Sequence, residues 1–326
     1  MLKKLRFEKF VSDYMNTGHA LIELGFNSLR IDNRNVVTSL WTKNIASAKC
    51  LCKTRPGESE IVLATSVICH EPDFIQNPDF FNIHNNLTHL RQYHNIRAVI
   101  GLGINGLKNK KVKFDNLPIE QQDFIYYLKD NAVKVGCRGF STYNFLLDLG
   151  FNPNYLYVTG CPSLQLVKPV KLNLSQKFDR ILAMGSLIKR IDLVEDLLVS
   201  DSKILFIPQT VDSYLMGLAE SKKDKRIEIF LPPNLSKWLK KLEDFAPQIA
   251  LGSRMHGGVA AMSIGIPTVI MSGDVRTSEI TTVGKLKFLD DLYPSRNALS
   301  TMTDHYGIYE IGSLDFLAQA IRLCIK

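Results

Sequence analysis

The stretch Gln248-Ile249-Ala250-Leu251-Gly252-Ser253-Arg254-Met255-His256-Gly257-Gly258-Val259-Ala260-Ala261-Met262, with Gly265-Ile266-Pro267-Thr268-Val269-Ile270-Met271 close behind it, decides the fold. Residues 248–251 are a short apolar run that predicts a buried strand, and Gly252-Ser253 turn the chain. A helix of small residues is expected from Gly257, and residues 268–271 read as the next strand. Strand, helix and strand in that order make a parallel crossover unit, the building block of α/β layers.

The same alternation extends outward. Strands are expected over residues 180–184, 203–208 and 227–231, separated by helical segments such as 193–199 and 235–242. Toward the N-terminus, residues 61–69 and 97–103 read as buried parallel strands, and 121–130 and 142–149 as helices. Residues 161–171 carry Pro162 and Pro169 without clear periodicity, and they are the candidate linker. The expected architecture is α/β: two Rossmann-like, doubly wound domains, 1–165 and 166–326, facing each other across a cleft. The amphipathic segment 313–325 suits either closure of the second domain or packing on the first.

A chain of 326 residues exceeds the size at which one core usually stops growing, which favours two domains of roughly 150 residues. Apolar residues make up 45% and charged residues 22%, the balance of a globular protein rather than a disordered one. The basic start, Met1 to Phe10, lacks the apolar run of a secretory signal, and no window holds the roughly 20 apolar residues that span a bilayer. A cytoplasmic location is expected. The amphipathic pattern of Leu2, Leu5 and Phe10 against Lys3, Lys4, Arg6 and Lys9 allows a peripheral contact with the inner membrane, although ten residues bury little. Six scattered cysteines show no metal-ligand spacing, so reduced thiols and no bound metal are expected.

The net charge of +8 favours anionic partners. The basic clusters 108–113 and 222–226 have no interleaved aromatics and no nucleic-acid motif. They read as solvated loops first and lipid or glycan contacts second, and no nucleic-acid partner is expected.

Three places carry candidate chemistry. At the junction after residue 251, a helix N-terminus offers unpaired N–H groups and partial positive charge, with Ser253, Gly257 and Gly258 lining it. Arg254 adds a bidentate fork for phosphate or carboxylate, and His256 a proton donor or acceptor near neutral pH. An isolated Arg-x-His also suits a sheet-edge arginine and an interior histidine, but the carboxyl end of a strand in an open sheet is where ligands bind. Gln209, at the end of the strand expected over 203–208, joins the substrate-binding candidates.

Second, Gly101-Leu102-Gly103-Ile104-Asn105-Gly106 matches G-x-G-x-x-G in form, but the lysine-rich 107–113 is a poor core helix. Nicotinamide dinucleotide is therefore not expected, and a glycine-rich turn at the cleft remains, with Gly103 and Asn105 as substrate-binding candidates. Third, Arg138 ends a strand and Thr142 is placed to cap the following helix. An arginine there suits an anion or a surface ion pair equally well.

These residues resemble the polysaccharide pyruvyl transferase family. Its members show an Arg-Asp-x-x-Ser helix start ending in Leu-Gly, a Val-x-Gly-Asp-Pro-Ala turn, and an Arg-Leu-His segment followed by Gly-Ile/Val-Pro. This chain reads Arg138-Gly139-Phe140-Ser141-Thr142 to Leu149-Gly150, then Val158-Thr159-Gly160-Cys161-Pro162-Ser163, then Arg254-Met255-His256 to Gly265-Ile266-Pro267. Asn16-Thr17-Gly18-His19 is similar to the family's N-terminal Asn-x-Gly-Asp turn. Gly139, Cys161 and His19 each replace an aspartate, and together with Asp274-Val275-Arg276-Thr277-Ser278-Glu279-Ile280 they look like a recurring branch.

The resemblance implies a fold like that of two-Rossmann-domain glycosyltransferases. It also implies transfer of the enolpyruvyl unit of phosphoenolpyruvate to a sugar as a pyruvate ketal, on a surface polysaccharide such as a capsule or exopolysaccharide, or on its lipid-linked or nucleotide-linked precursor. Phosphoenolpyruvate is then the donor substrate, with no cofactor. The implied catalytic residues are His256, Arg254 and Arg138, with the two arginines on opposite walls of the cleft. Gly18, His19 and Ser163 join the substrate-binding set. Asp274, Arg276 and Glu279 are expected either to orient the acceptor or a nucleotide or to form a surface ion-pair group. The alternative activity is a glycosyltransferase using a nucleotide sugar, because the same helix-bound anion site serves a diphosphate; a glycan-binding protein without catalysis is a third reading.

Overall fold

The computed structural model describes residues 18–29, 36–37, 60–64, 68–70, 95–105, 111–173, 176–209, 211–232, 234–271, 274–284, 288–289, 308–311 and 315–325. The expectations for residues 2–10 and for Asn16 and Thr17 lie outside them. The chain divides into two compact units, neither of them contiguous. One comprises Ile22–Gln165, Asp274–Gly284 and Leu314–Lys326, and the other Met1–Leu21, Leu166–Gly273 and Lys285–Ser313. Asp274, Arg276 and Glu279, which the sequence division at 165/166 groups with the later residues, thus belong with the earlier ones.

The N-terminal-sheet unit is built on strands β1 (Val36–Val37), β2 (Glu60–Ala64), β3 (Ile68–His70), β4 (Asn95–Asn105), β5 (Lys134–Cys137) and β6 (Leu156–Val158), all parallel. The order is β1-β2-β4-β5-β6, and β3 also pairs with β4. Residues 61–69, expected as one strand, form two short ones along the same edge of β4: β2 against its first half and β3 against Gly103–Asn105. β4 is the centre of the sheet, and Ile96, Ala98, Val99, Ile100, Leu102 and Ile104 are all buried, as a strand covered on both faces requires.

These described strands follow one another in sequence order, without the reversal of a doubly wound sheet. Right-handed crossovers in such a sheet put their helices on one face. Helices α2 (Ile119–Asp130) and α3 (Phe140–Asp148) accordingly pack Phe124, Ile125, Leu128, Phe145 and Leu146 into a single cluster with β4, β5 and β6. The other face is closed by helices from far along the chain. Phe26 and Leu29, in and just after α1 (Gly18–Ser28), meet Ala318, Ile321 and Cys324 of α8 (Asp315–Ile325) over Ala98 and Ile100. The terminal segment therefore packs on the N-terminal sheet. Its i, i+4, i+7 stripe of Leu317, Ile321 and Cys324 is fully buried, and Leu323 on the opposite side is exposed.

The C-terminal-sheet unit holds β8 (Phe178–Met184), β9 (Leu198–Phe206), β10 (Ile227–Ile229), β11 (Ile249–Gly252), β12 (Thr268–Met271) and β13 (Phe288–Leu289) in the order β10-β9-β8-β11-β12-β13, all parallel. Counted from β8, this is the dinucleotide-fold order 3-2-1-4-5-6, the doubly wound arrangement expected for this half. Helices α4 (Val211–Lys223), α5 (Leu235–Phe245) and α6 (Met255–Ser263) make the crossovers after β9, β10 and β11. Residues 193–199, expected as a helix, straddle the end of a 3-10 segment (Gly185–Leu197) and the start of β9. Leu193, Val194, Leu197 and Leu198 are buried and Asp196 between them is exposed, a helical spacing that the 3-10 segment carries straight into the strand.

The candidate linker carries structure of its own. It holds a 3-10 turn at Pro162–Leu166 and leads into β7 (Val170–Asn173), which pairs antiparallel with β14 (Ile308–Ile311). Among the described residues no helix is long and apolar enough to cross a membrane. Of the basic cluster 222–226, Lys222 and Lys223 end α4, and Arg226 is half-buried between Asp224 and Glu195 rather than solvated.

Because Ile321 is wholly buried between α1 and β4, Ile321→Ala should cost roughly 2–5 kcal/mol in denaturant unfolding, and Leu323→Ala less than about 0.5 kcal/mol.

Candidate functional site

In the C-terminal-sheet unit the order of strands reverses between β8 and β11: the chain leaves β8 for β9 on one side and leaves β11 for β12 on the other. In open α/β sheets ligands bind where loops diverge in this way, outside the carboxyl ends of the strands. β8 ends in Gly185-Ser186 and β11 in Ser253-Arg254. Ser253 Oγ accepts the Ser186 N–H at 3.2 Å and lies 3.1 Å from Ser186 Oγ, tying the loops together. A Cβ on Gly185 would run into Ser253 Oγ and lie 2.9 Å from Arg254 Cγ, so the close approach needs glycine there.

α6 begins at Met255, two residues before the expected start at Gly257. Arg254 is its N-cap, with extended backbone (φ −93°, ψ 100°), and His256 stands in its first turn; both are half-buried. Arg254 makes no side-chain cap to this helix. Gln209, buried after β9, brings Nε2 to 2.9 Å from the position of a Cβ on Gly257. Gly258 serves packing: a Cβ there would press on Ile270 and lie 3.0 Å from Thr268 Cγ2, so its absence lets α6 settle on β12. Three neighbouring strands, β9, β8 and β11, therefore end in Gln209, Gly185-Ser186 and Ser253-Arg254. Sequence reasoning missed Gly185 and Ser186, although a Gly-Ser pair directly behind the strand expected at 180–184 was the available signal.

The N-terminal-sheet unit carries a second constellation around Arg138, which is 1% exposed. Its N–H donates to Leu102 O at 2.7 Å, and its Nε donates to Gly101 O at 2.7 Å. Residues 101–105 are strand rather than the expected turn. Gly101 takes φ +84° at a register shift between β4 and β5, and a Cβ on Gly103 would lie 2.9 Å from Arg138 Cδ. The glycines thus let a strand bulge and make room for a buried arginine. Among the described residues Arg138 Nη2 has no hydrogen-bond partner. Burial lowers the guanidinium's pKa, and Arg276 pushes the same way, against Cys161, Glu279 and Asp274.

Thr142 does not cap α3. Gly139 is the N-cap and offers no side chain, and Thr142 is the third helical residue. Instead Glu279, from α7 (Val275–Val283), reaches α3. Its Oε1 accepts from the Thr142 N–H at 2.6 Å and its Oε2 from Thr142 Oγ1 at 2.8 Å. Thr142 Oγ1 in turn accepts the Ile104 N–H at 3.1 Å. Glu279 is 5% exposed, and burial raises its carboxyl to about 7 despite the bonds from Thr142 and the charge of Arg138.

The remaining candidates fall as follows. Asp274 caps α7, accepting from the Thr277 N–H at 2.6 Å, and pairs with the half-exposed Arg276 at 3.4 Å. Ser163 is fully buried against Cys161, with Oγ 3.1 Å from Sγ. Asn105 ends β4 opposite His70. Gly18 and His19 open α1, and the His19 side chain lies outside what the structure describes. Among the described residues no group of three or more His, Cys, Asp or Glu could hold a metal ion.

The raised carboxyl of Glu279 has a consequence for stability. Between the ordinary glutamate value of 4.5 and about 7 the folded chain holds a proton that the unfolded chain has released, so this group's contribution falls as pH rises through that window. Melting temperature followed from pH 4.5 to 8 should therefore decline in the wild type, and Glu279→Gln should flatten that decline. Equal slopes in the two proteins would contradict the assignment.

No curated protein matches the chain. The family model of polysaccharide pyruvyl transferases matches residues 64–275, which include β4, Arg138, Thr142, Gln209, Arg254 and His256, and the chain belongs to that family.

Proposed function

We propose that the chain transfers the pyruvyl group of phosphoenolpyruvate to a pair of sugar hydroxyls, forming a pyruvate ketal on a polysaccharide or on its lipid-linked or nucleotide-linked precursor. The observation that carries this reading is Arg254 and His256 on the N-cap and first turn of α6, at the switch point of the C-terminal sheet. A helix start supplies N–H groups and positive potential, and arginine supplies a fork matched to phosphate or carboxylate. The family match supports the polysaccharide acceptor.

In this scheme Arg254 and the first amides of α6 hold the anionic donor, with Ser253, Ser186 and Gln209 on the surrounding loops. His256, as imidazolium, gives its proton to the methylene carbon of phosphoenolpyruvate. The adjacent carbon becomes electrophilic, and a sugar hydroxyl adds to it and loses its proton. The C–O bond to phosphate breaks, inorganic phosphate leaves, and the α6 amides stabilise its charge. A second sugar hydroxyl then closes the ketal. Arg138, whose Nη2 has no hydrogen-bond partner among the described residues, takes an anionic group of a substrate. The reaction consumes one phosphoenolpyruvate and one diol and releases one phosphate. It belongs on the cytoplasmic side of the membrane, where phosphoenolpyruvate and activated sugars are made.

Thermal shift with phosphoenolpyruvate, UDP, GDP and CMP tests the donor: phosphoenolpyruvate should raise the melting temperature, and stabilisation by a nucleotide alone would sink the reading. His256→Ala should lower turnover by roughly 10²–10⁴-fold with donor binding retained. Arg254→Ala should weaken donor binding itself by roughly 10–100-fold, the loss of one charge-assisted hydrogen-bonding group.

A further inference from the structure

We propose that Glu279 is a positioning residue: it caps helix α3 from outside and so fixes the strand-to-helix junction that presents Arg138. The inference rests on the reading of Arg138 as a substrate-anion binder.

Three observations converge on it. First, α3 starts without a local acceptor, because its N-cap is Gly139 and no side chain there reaches the first-turn amides. A helix start ordinarily takes such an acceptor from Ser, Thr, Asp or Asn at the N-cap. Second, Glu279, 137 residues away from Thr142 in sequence, supplies it, one carboxylate oxygen on the Thr142 N–H and the other on the Thr142 hydroxyl. Third, the two positions share one volume: a Cβ on Gly139 would lie 2.6, 2.9 and 3.1 Å from Cβ, Cγ and Cδ of Glu279. The glutamate side chain occupies the space that an N-cap side chain would fill. Glycine at 139 and glutamate at 279 are therefore one device in two pieces.

The device reaches Arg138 along two routes. Arg138 directly precedes the N-cap, and its own N–H is held by Leu102 O in β4. The Thr142 hydroxyl is held by the Ile104 N–H two residues further along β4. With Glu279 in place, β4, the start of α3 and α7 are joined by a continuous chain of hydrogen bonds, and the Arg138 side chain crosses the sheet at Gly101 and Gly103 within it. The carboxylate also offsets the charge of the buried guanidinium while its own hydrogen bonds go to Thr142. Arg138 Nη2, buried beside this network, has no hydrogen-bond partner among the described residues, which leaves its donors for a substrate anion.

The test exchanges the two pieces. Four proteins are compared: wild type, Arg138→Ala, Glu279→Gly, and the double variant Gly139→Asp with Glu279→Gly, in which an ordinary N-cap acid fills the vacated space. Hydrogen exchange at the Thr142 amide reports the cap, and calorimetric affinity for phosphoenolpyruvate reports the site. Glu279→Gly should lose protection at Thr142 and weaken phosphoenolpyruvate by roughly 10–100-fold, toward the level of Arg138→Ala. The double variant should recover both. Unchanged Thr142 exchange in Glu279→Gly, wild-type affinity in that variant, or a double variant that regains protection without affinity would overturn the proposal. Failure of the donor reading is seen separately, as absence of phosphoenolpyruvate binding by the wild type; Thr142 exchange then still decides whether Glu279 is the cap.

Discussion

Every parallel strand in this protein that hands over to a helix must find acceptors for the first amides of that helix, and the chain solves the problem differently at each junction. α5 uses its own Asn234, which accepts from the Lys237 N–H at 2.9 Å, and α7 uses its own Asp274. α3 borrows Glu279 from another helix. α6 gets no side-chain cap from its own N-cap residue, which is an arginine. A helix start with an arginine at its N-cap and no acid in its first turn suits the anion proposed for it, through the same backbone groups that elsewhere bind a carboxylate.

Arg138 shows what such a site costs. A guanidinium that is 1% exposed has given up nearly all its hydration; Nε finds Gly101 O, and Nη2 finds no partner among the described residues. Glu279 compensates by charge, but it too is buried. Its carboxyl stands near 7 rather than below the ordinary value, so the penalty of burial outweighs the bonds from Thr142 and the attraction of Arg138 together. The anion proposed to bind Arg138 would add to that compensation.

The strands and the two arginine junctions were legible because they depend on local pattern. Apolar runs of strand length gave β8, β11 and β12 nearly to their ends, and an arginine at the end of a run gave Arg138 and Arg254. Contacts that join distant residues were not legible. Gly101-x-Gly103 looked like a turn, since glycine signals both turns and bulges, and only the crossing of Arg138 distinguishes them. Thr142 looked like a cap because the true cap lies 137 residues away. The grouping of residues 274–284 with the earlier half of the chain is likewise a property of packing, and no composition shift marks it.

By its value alone Glu279 would be taken for a general acid, since a carboxyl held near 7 is well matched to proton transfer at neutral pH. Geometry assigns it otherwise. Both of its oxygens are engaged with Thr142, and the residue is 5% exposed, so its proton has no short path to a substrate carbon. His256 stands instead in the first turn of a helix at the switch point of its sheet, half-exposed and next but one to an arginine. A proton donor must reach the atom it protonates, and a positioning group need only hold its neighbours. The raised value of Glu279 is therefore a by-product of burying a carboxylate where the backbone needs an acceptor, and the histidine is the acid we propose for the reaction.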